Sequence, residues 1–414
     1  MLNGLVIASN FPRFKGDSYG WFIHEISKRF AESGYEIYVL APHEYGIKFY
    51  EKFDNINISR FPYFFPLKMQ RLAYRSGIPY NIKGCILAKL QLPFFFIAEL
   101  GLSFYLIKIK KIDFVHAHWF FPQGLVAAIC KKILKVPTII TIHSSEITLL
   151  KKLPFGEKIG KFIFNHVDLI VSVSSHRAKE LLEFIEPNNH NNMFINKKIK
   201  IIPMGVSAEK LVSNLSKEQI KSDLGVDSKY VLLFLGRLVE VKGVQHLIES
   251  LKHIVEKVRD IELIIVGSGE LEDDLKRLAE SKGLENYIRF EGFVEHEFIA
   301  NYYSIADIFV FPSIVDSNGF QEGLPVTLIE ALAAGKPVVA SNILGVREII
   351  VENKNGILID PMNHIEMANS ILKLLEDQPF REFLSRNAAK SVEVYNWNNI
   401  VYNYIKELNQ ILYN

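Results

Sequence analysis

Glu322 and Glu330 bracket the segment E-G-L-P-V-T-L-I-E. A Gly/Pro-marked turn at Glu322 is a place where a helix can begin, and the spacing predicts Glu330 two helical turns on, both carboxylates on one face. Two acids near a helix start suit a ligand rich in hydroxyls, because a carboxylate accepts paired hydrogen bonds from adjacent hydroxyls. The N–H groups of a helix start favour an anionic group on the same ligand. Two glutamates eight apart are also common on solvated helices, so the pair needs support from elsewhere in the chain. Support comes from Gly236-Arg237, which ends the apolar run Val231 to Leu235, and from Lys242-Gly243 just after it. A glycine at a strand end lets backbone approach a ligand, and two cations on one loop can neutralise a diphosphate.

Together these residues resemble the Glu-x7-Glu and Gly-Arg…Lys-Gly signatures of glycosyltransferase family 4 and its retaining GT-B relatives. The resemblance implies that Glu322 holds the hydroxyls of a donor sugar and Glu330 those of the ribose, with Gly323, Leu324, Pro325 and Val326 lining the donor between them. It implies that Arg237 and Lys242 hold the diphosphate beside Gly236. Gly267-Ser-Gly269 resembles the family's glycine turn next to the nucleotide, and Phe293 and Val294 stand where relatives contact the base. Gly267 and Gly269 match only part of a dinucleotide fingerprint, since position 272 is Glu.

The first half carries the other candidates. Gly16-Asp-Ser-Tyr-Gly20 feeds a helix, and a glycine-bearing loop before a helix is an anion site; by resemblance Gly20 touches the donor phosphate. His116 and His118 end a strand two residues apart and so share a face. The resemblance gives His118 the family's functional histidine facing the donor sugar. A His-x-His pair is also a zinc spacing, but a third ligand is lacking, and the expectation is no metal. His143-Ser144-Ser-Glu146 resembles the His-Gly-Ser-Asp segment of the family, with Ser144 replacing Gly and Glu146 replacing Asp; these three are read as acceptor-positioning. The catalytic set expected is therefore His118, Arg237, Lys242 and Glu322.

The elements that must position these groups are short β-branched runs alternating with helical patterns. Strands are predicted at Leu5 to Ala8, Ile37 to Ala41, Phe114 to Ala117, Thr138 to Ile142, Leu169 to Val173 and Ile199 to Ile202. A second set follows at Val231 to Leu235, Leu263 to Val266, Ile288 to Glu291, Ile308 to Phe311, Val338 to Ala340 and Ile357 to Ile359. The fold class is α/β: two Rossmann-like doubly wound domains. The GT-B resemblance adds that they face across a cleft, with a C-terminal helix returning to the first domain. The expected boundaries are 1–204 for an acceptor domain, 205–394 for a nucleotide-sugar domain and 395–414 for the crossing helix. The boundary is expected near residues 203–228, where turn residues and Ser/Lys/Glu-rich sequence interrupt the pattern, and the Asn-rich Pro187 to Asn196 reads as a solvated loop.

With 414 residues, 49% hydrophobic and 23% charged, the chain supports two packed cores and is not of disordered composition. Two cysteines without a Cys-x-x-Cys spacing, and no basic-led signal peptide, place it in a reducing cytoplasm. Residues 1–200 hold 27 Lys+Arg against 15 Asp+Glu, and the remainder 21 against 31. A basic half points to an anionic partner. Its cations lie beside apolar anchors, as in Phe61-Pro-Tyr-Phe-Phe-Pro66 with Lys68, Arg71 and Arg75, and Leu92 to Ile107 with Lys108, Lys110 and Lys111. That pattern fits the inner face of a membrane better than nucleic acid. A buried core helix fits Leu92 to Ile107 equally well.

The resulting expectation is a retaining transfer of sugar from a nucleoside-diphosphate sugar to a hydroxyl of a glycan or lipid-linked acceptor in cell-surface polysaccharide or glycolipid assembly, with no cofactor. A nucleotide-sugar epimerase and a non-catalytic sugar-nucleotide binder are the alternatives.

Overall fold

The computed structural model describes the chain except for residues 18, 75, 76, 144, 145, 187–197, 318 and 414, and the side chains of 79, 80 and 83. Ser144 and the Asn-rich stretch Pro187 to Asn196 therefore lie outside the described residues. The chain divides into two compact units, Met1–Pro203 with Asn398–Asn414, and Met204–Trp397.

The first unit is built on strands β1 Asn3–Ile7, β2 Glu36–Pro42, β3 Tyr50–Phe53, β4 Ile56–Phe61, β5 Phe114–His118, β6 Thr138–Ile142, β7 Leu169–Ser172 and β8 Ile199–Ile201. They form one sheet in the order β3-β4-β2-β1-β5-β6-β7-β8, parallel except for the edge strand β3, which runs antiparallel to β4. Helices cover its faces, so β5, β6 and β7 are buried along their whole length, and the polar members His116, His118 and Thr141 are buried with them. Leu5, Phe95, Val115, Ile140 and Ile170 belong to its core. The C-terminal helix Trp397–Tyr413 packs here: the Tyr404 hydroxyl lies 3.0 Å from Thr141 Oγ1 on β6, and its ring is 5.4 Å from that of His116.

The hairpin β3–β4 is absent from the sequence expectation. β4 alternates apolar and polar over Ile56, Asn57, Ile58 and Ser59 until Arg60 takes the next apolar position, and Arg60 is nevertheless buried, donating from Nη2 to Glu51 Oε1 at 2.7 Å and to the Pro12 carbonyl at 2.6 Å. Its Nη1 donates to the Tyr74 hydroxyl at 3.3 Å, so both terminal nitrogens of this buried guanidinium are bonded, while Nε has no partner among the described residues.

The second unit contains β9 Tyr230–Leu235, β10 Ile261–Val266, β11 Ile288–Gly292, β12 Ile308–Phe311, β13 Val338–Ser341 and β14 Ile357–Ile359 in the all-parallel order β11-β10-β9-β12-β13-β14. Leu232, Phe234, Leu263, Ile265, Val310 and Val339 make its centre. Within the stretch 203–228, near which the boundary is expected, residues 217–224 form a helix capped by the Ser216 hydroxyl and closed by Gly225 in the left-handed conformation. Lys217 Nζ ties it to Asp307 Oδ1 at 2.6 Å, so it belongs to the second unit and the division falls at Pro203/Met204.

In each sheet the chain reverses its winding at one place, between β1 and β5 in the first unit and between β9 and β12 in the second. Ligands of open α/β sheets bind beyond the carboxyl ends of strands flanking such switch points. Gly20 follows β1, His118 ends β5, Gly236 follows β9, and Glu322 lies in the segment after β12.

Candidate active site

In the second unit, backbone geometry explains the glycines. Gly267 has φ 134°, and a β-carbon there would stand 1.9 Å from the carbonyl of Gly236; one on Gly269 would stand 2.3 Å from that of Leu238. These glycines let the loops after β9 and β10 lie against each other, joined by Leu238 N–H donating to Ser268 O at 3.0 Å. Gly267 N–H donates in turn to Gly292 O at 2.8 Å, which places Phe293, half exposed, and Val294 beyond the same edge. Arg237 is exposed on the first of these loops.

Lys242 ends a single 3-10 turn, Glu240–Lys242, and Gly243 at φ 64° starts the helix Val244–Val255. A side chain at Gly243 would meet the Pro312 carbonyl at 2.1 Å, so this turn is wedged against the segment leaving β12. Lys242 is thereby aimed across the switch point. Its Nζ lies 2.9 Å from Glu322 Oε1 and 5.3 Å from the centre of the Phe311 ring, with both charged side chains mostly buried.

Glu322 does not sit on the helix. The helix is Val326–Ala333, with extended Pro325 before it, so the expectation of two carboxylates on one helical face is corrected. Proline disfavours helical backbone in the residue before it, which leaves Glu322, Gly323 and Leu324 as a loop. The carbonyls of Glu322 and Gly323 pack where Gly345 lacks a side chain, at 2.9 and 2.8 Å from its virtual β-carbon. Val326 opens the helix, whose first N–H groups are the donors a helix start presents.

Glu330, within that helix, is buried. Its Oε2 accepts from the Tyr303 hydroxyl at 3.2 Å and its Oε1 lies 3.3 Å from His296 Nε2. Burial, then the Glu330 charge, holds the Tyr303 phenol well above its ordinary pKa, so it stays a donor. Tyr303 and His296 are not among the residues picked from the sequence, where neither carries a motif; only the packing of residues 296–305 under the helix brings them to Glu330.

In the first unit, Gly20 has φ 65° and caps the helix Trp21–Glu32, and a β-carbon would press on Asn10 at 2.7 Å. His118 is fully buried, with Nδ1 at 2.9 Å from His143 Nε2 and its ring stacked on that of His143; its own Nε2 is buried and has no hydrogen-bond partner among the described residues. His116 stands beside it, ring centres 4.3 Å apart, with Nε2 2.8 Å from Thr141 Oγ1. Burial pushes the His116 and His143 pKa values down to about 3, and burial followed by its two neighbours holds His118 well below the ordinary range. The cluster is thus three neutral imidazoles, able to exchange hydrogen bonds with hydroxyls but carrying no charge. Glu146 opens the helix Glu146–Lys151 and accepts from the His143 backbone N–H at 2.7 Å, which gives it a local fastening role. Among the described residues no three His, Cys, Asp or Glu side chains are grouped to hold a metal ion.

Residues 216–391 match the family model of the glycosyl transferases group 1, and residues 20–210 match that of Glycosyltransferase Family 4. An uncharacterized glycosyltransferase of Methanocaldococcus jannaschii is 31% identical over 307 residues, covering 71% of this chain and 74% of its own. Among solved structures, sucrose-phosphate synthase from Thermosynechococcus elongatus shares the fold with a TM-score of 0.77 at 19% identity, covering 99% of both chains. HepE of Anabaena, in complex with UDP-glucose, does so with a TM-score of 0.73 at 18% identity, covering 99% of this chain and all of that one. With its two parallel sheets, its paired switch points and these matches, the chain belongs to the group 1 and family 4 glycosyltransferases of GT-B fold, and it is a glycosyltransferase.

Proposed function

We propose that the donor is a nucleoside-diphosphate sugar bound by the second unit and that the transfer retains anomeric configuration. The observation that carries this reading is the Lys242–Glu322 contact of 2.9 Å beside exposed Arg237. A cation already paired with the sugar-clamping carboxylate is placed to meet the diphosphate of the same ligand, and Arg237 adds the second positive charge without a metal. Glu330, held by Tyr303 and His296, is a fixed acceptor for two ribose hydroxyls. UDP-glucose, carried by HepE in its solved complex, is a donor of the class proposed.

The acceptor in this reading is a hydroxyl of a glycan or lipid-linked precursor in cell-surface polysaccharide or glycolipid assembly on the cytoplasmic side. Retention without a protein nucleophile would proceed by attack on the face the diphosphate leaves, the departing phosphate oxygen taking the acceptor proton. His118 is read by resemblance as a hydrogen-bonding partner for a sugar hydroxyl; supporting this, its Nε2 has no partner among the described residues and burial keeps the ring neutral.

Screening nucleoside-diphosphate sugars by thermal shift, then following donor hydrolysis and transfer by NMR, tests the reading. The expected product keeps the anomeric configuration of the donor. Inverted product, stabilisation by no such donor, or conversion of donor alone into an epimer would each overturn it.

A further inference from the structure

The helix Ile86–Ile109 is turned inside out for a protein in water. Its polar side chains face the first unit: Gln91 accepts from Arg71 N–H at 2.8 Å and donates to Met69 O at 2.6 Å, and Glu99 accepts from Gln123 Nε2 at 3.2 Å. Phe95 on the same side packs against Phe61 and Tyr63, ring centres 5.0 and 5.2 Å apart. The opposite side bears Ile86, Leu90, Phe94, Ile97, Tyr105 and Ile109, each between 54% and 76% exposed. Their spacing by three, four and eight positions keeps them on one side of the helix over about 35 Å, an apolar stripe far longer than a solvated helix carries. Phe65, also exposed, extends it sideways, because the neighbouring Phe64 ring lies 6.1 Å from Phe94.

Charge identifies the occupant. Lys89 flanks the stripe near one end and Lys108 and Lys111 close the other, all exposed, with Lys68 beside Phe65; Lys110 turns instead onto the Tyr38 ring, its Nζ 5.5 Å from the ring centre, and the sole acid of the helix, Glu99, is buried on the far side. A second copy of this chain laid along the stripe would bring like charges together, whereas a bilayer rich in anionic lipid offers hydrocarbon between rows of phosphates. Among the described residues this is the one helix long and apolar enough to cross a membrane, but crossing would strip Gln91, Phe95 and Glu99 from their partners. We propose that Ile86–Ile109 lies in the surface of an anionic bilayer, its apolar side among the acyl chains and Lys68, Lys89, Lys108 and Lys111 on the lipid phosphates.

The test uses the full chain with vesicles of phosphatidylcholine alone and of phosphatidylcholine mixed with phosphatidylglycerol. The protein should sediment with the mixed vesicles at low salt and weakly with the neutral ones. Leu90→Glu with Ile97→Glu, both at exposed positions, should keep the melting temperature and reduce vesicle binding by about tenfold or more. Phe94→Trp should add emission that is blue-shifted on the mixed vesicles and quenched by brominated lipid. Absence of vesicle binding, binding untouched by the double substitution, or an unshifted emission from the Phe94→Trp variant overturns the proposal. A concentration-dependent dimer that the same double substitution disperses, without lipid binding, also overturns it. These readouts need no turnover, so they stand or fall independently of the donor reading.

Discussion

Lys242 Nζ and Glu322 Oε1 meet at 2.9 Å although the lysine follows β9 and the glutamate follows β12, the two strands between which the second sheet reverses its winding. The contact joins the two loops that lie beyond the strand ends, so the cation proposed to meet the diphosphate and the carboxylate proposed to meet the sugar are held against each other by the fold.

Removing either cation should therefore weaken the transition state more than the ground state. Lys242→Ala and Arg237→Ala are each expected to lower kcat/KM by about 2 to 4 kcal/mol, mostly through kcat. Steady-state kinetics on the stabilising donor check this, and unchanged turnover in both variants would remove the assigned role.

Tyr303→Phe takes one hydrogen bond from Glu330 while leaving the ring in place. The expected loss is about 1 kcal/mol of donor binding, a KM raised about fivefold with kcat nearly unchanged. A fall in kcat with constant KM would contradict a ribose-clamping role.

Gly243→Ala must accommodate both φ 64° and a contact of 2.1 Å with the Pro312 carbonyl. Destabilisation of about 2 kcal/mol or more is expected, with weakened donor binding because the turn carries Lys242. Gly34→Ala, at φ 92° but with open space around it, should lose only about 1 kcal/mol. Denaturant melts of the two variants compare clash plus strain with strain alone.

The histidine cluster predicts acid sensitivity. His116 and His143 are neutral in the folded chain down to about pH 3 but protonate near their ordinary pKa of 6.5 when unfolded. The unfolded chain binds more protons between those values, so their contribution is complete above 6.5 and stability falls as pH drops below it, by about 1 kcal/mol per pH unit for each histidine. Melting temperatures measured from pH 7 down to pH 5 should decline, and His116→Gln should flatten that decline. A pH-independent melting temperature over this range would refute it.

The parallel strands and the donor motifs are determined by local sequence. A strand covered on both faces reads as a near-continuous apolar run, as Tyr230–Leu235 does, and turns that need a left-handed or crowded backbone favour glycine, as at Gly243 and Gly267. These constraints act within a few residues and leave their mark on residue type. What only the tertiary structure decided is which groups meet across elements. Periodicity places Glu322 on a helix, whereas Pro325 and the packing at Gly345 hold it in a loop facing Lys242. Tyr303 and His296 beneath Glu330, Arg60 buried inside an edge hairpin with its terminal nitrogens bonded, and the outward apolar side of Ile86–Ile109 are likewise products of strand order and packing. Polarity along one segment reports whether a side can be buried, whereas its partner depends on where the rest of the chain has been folded to.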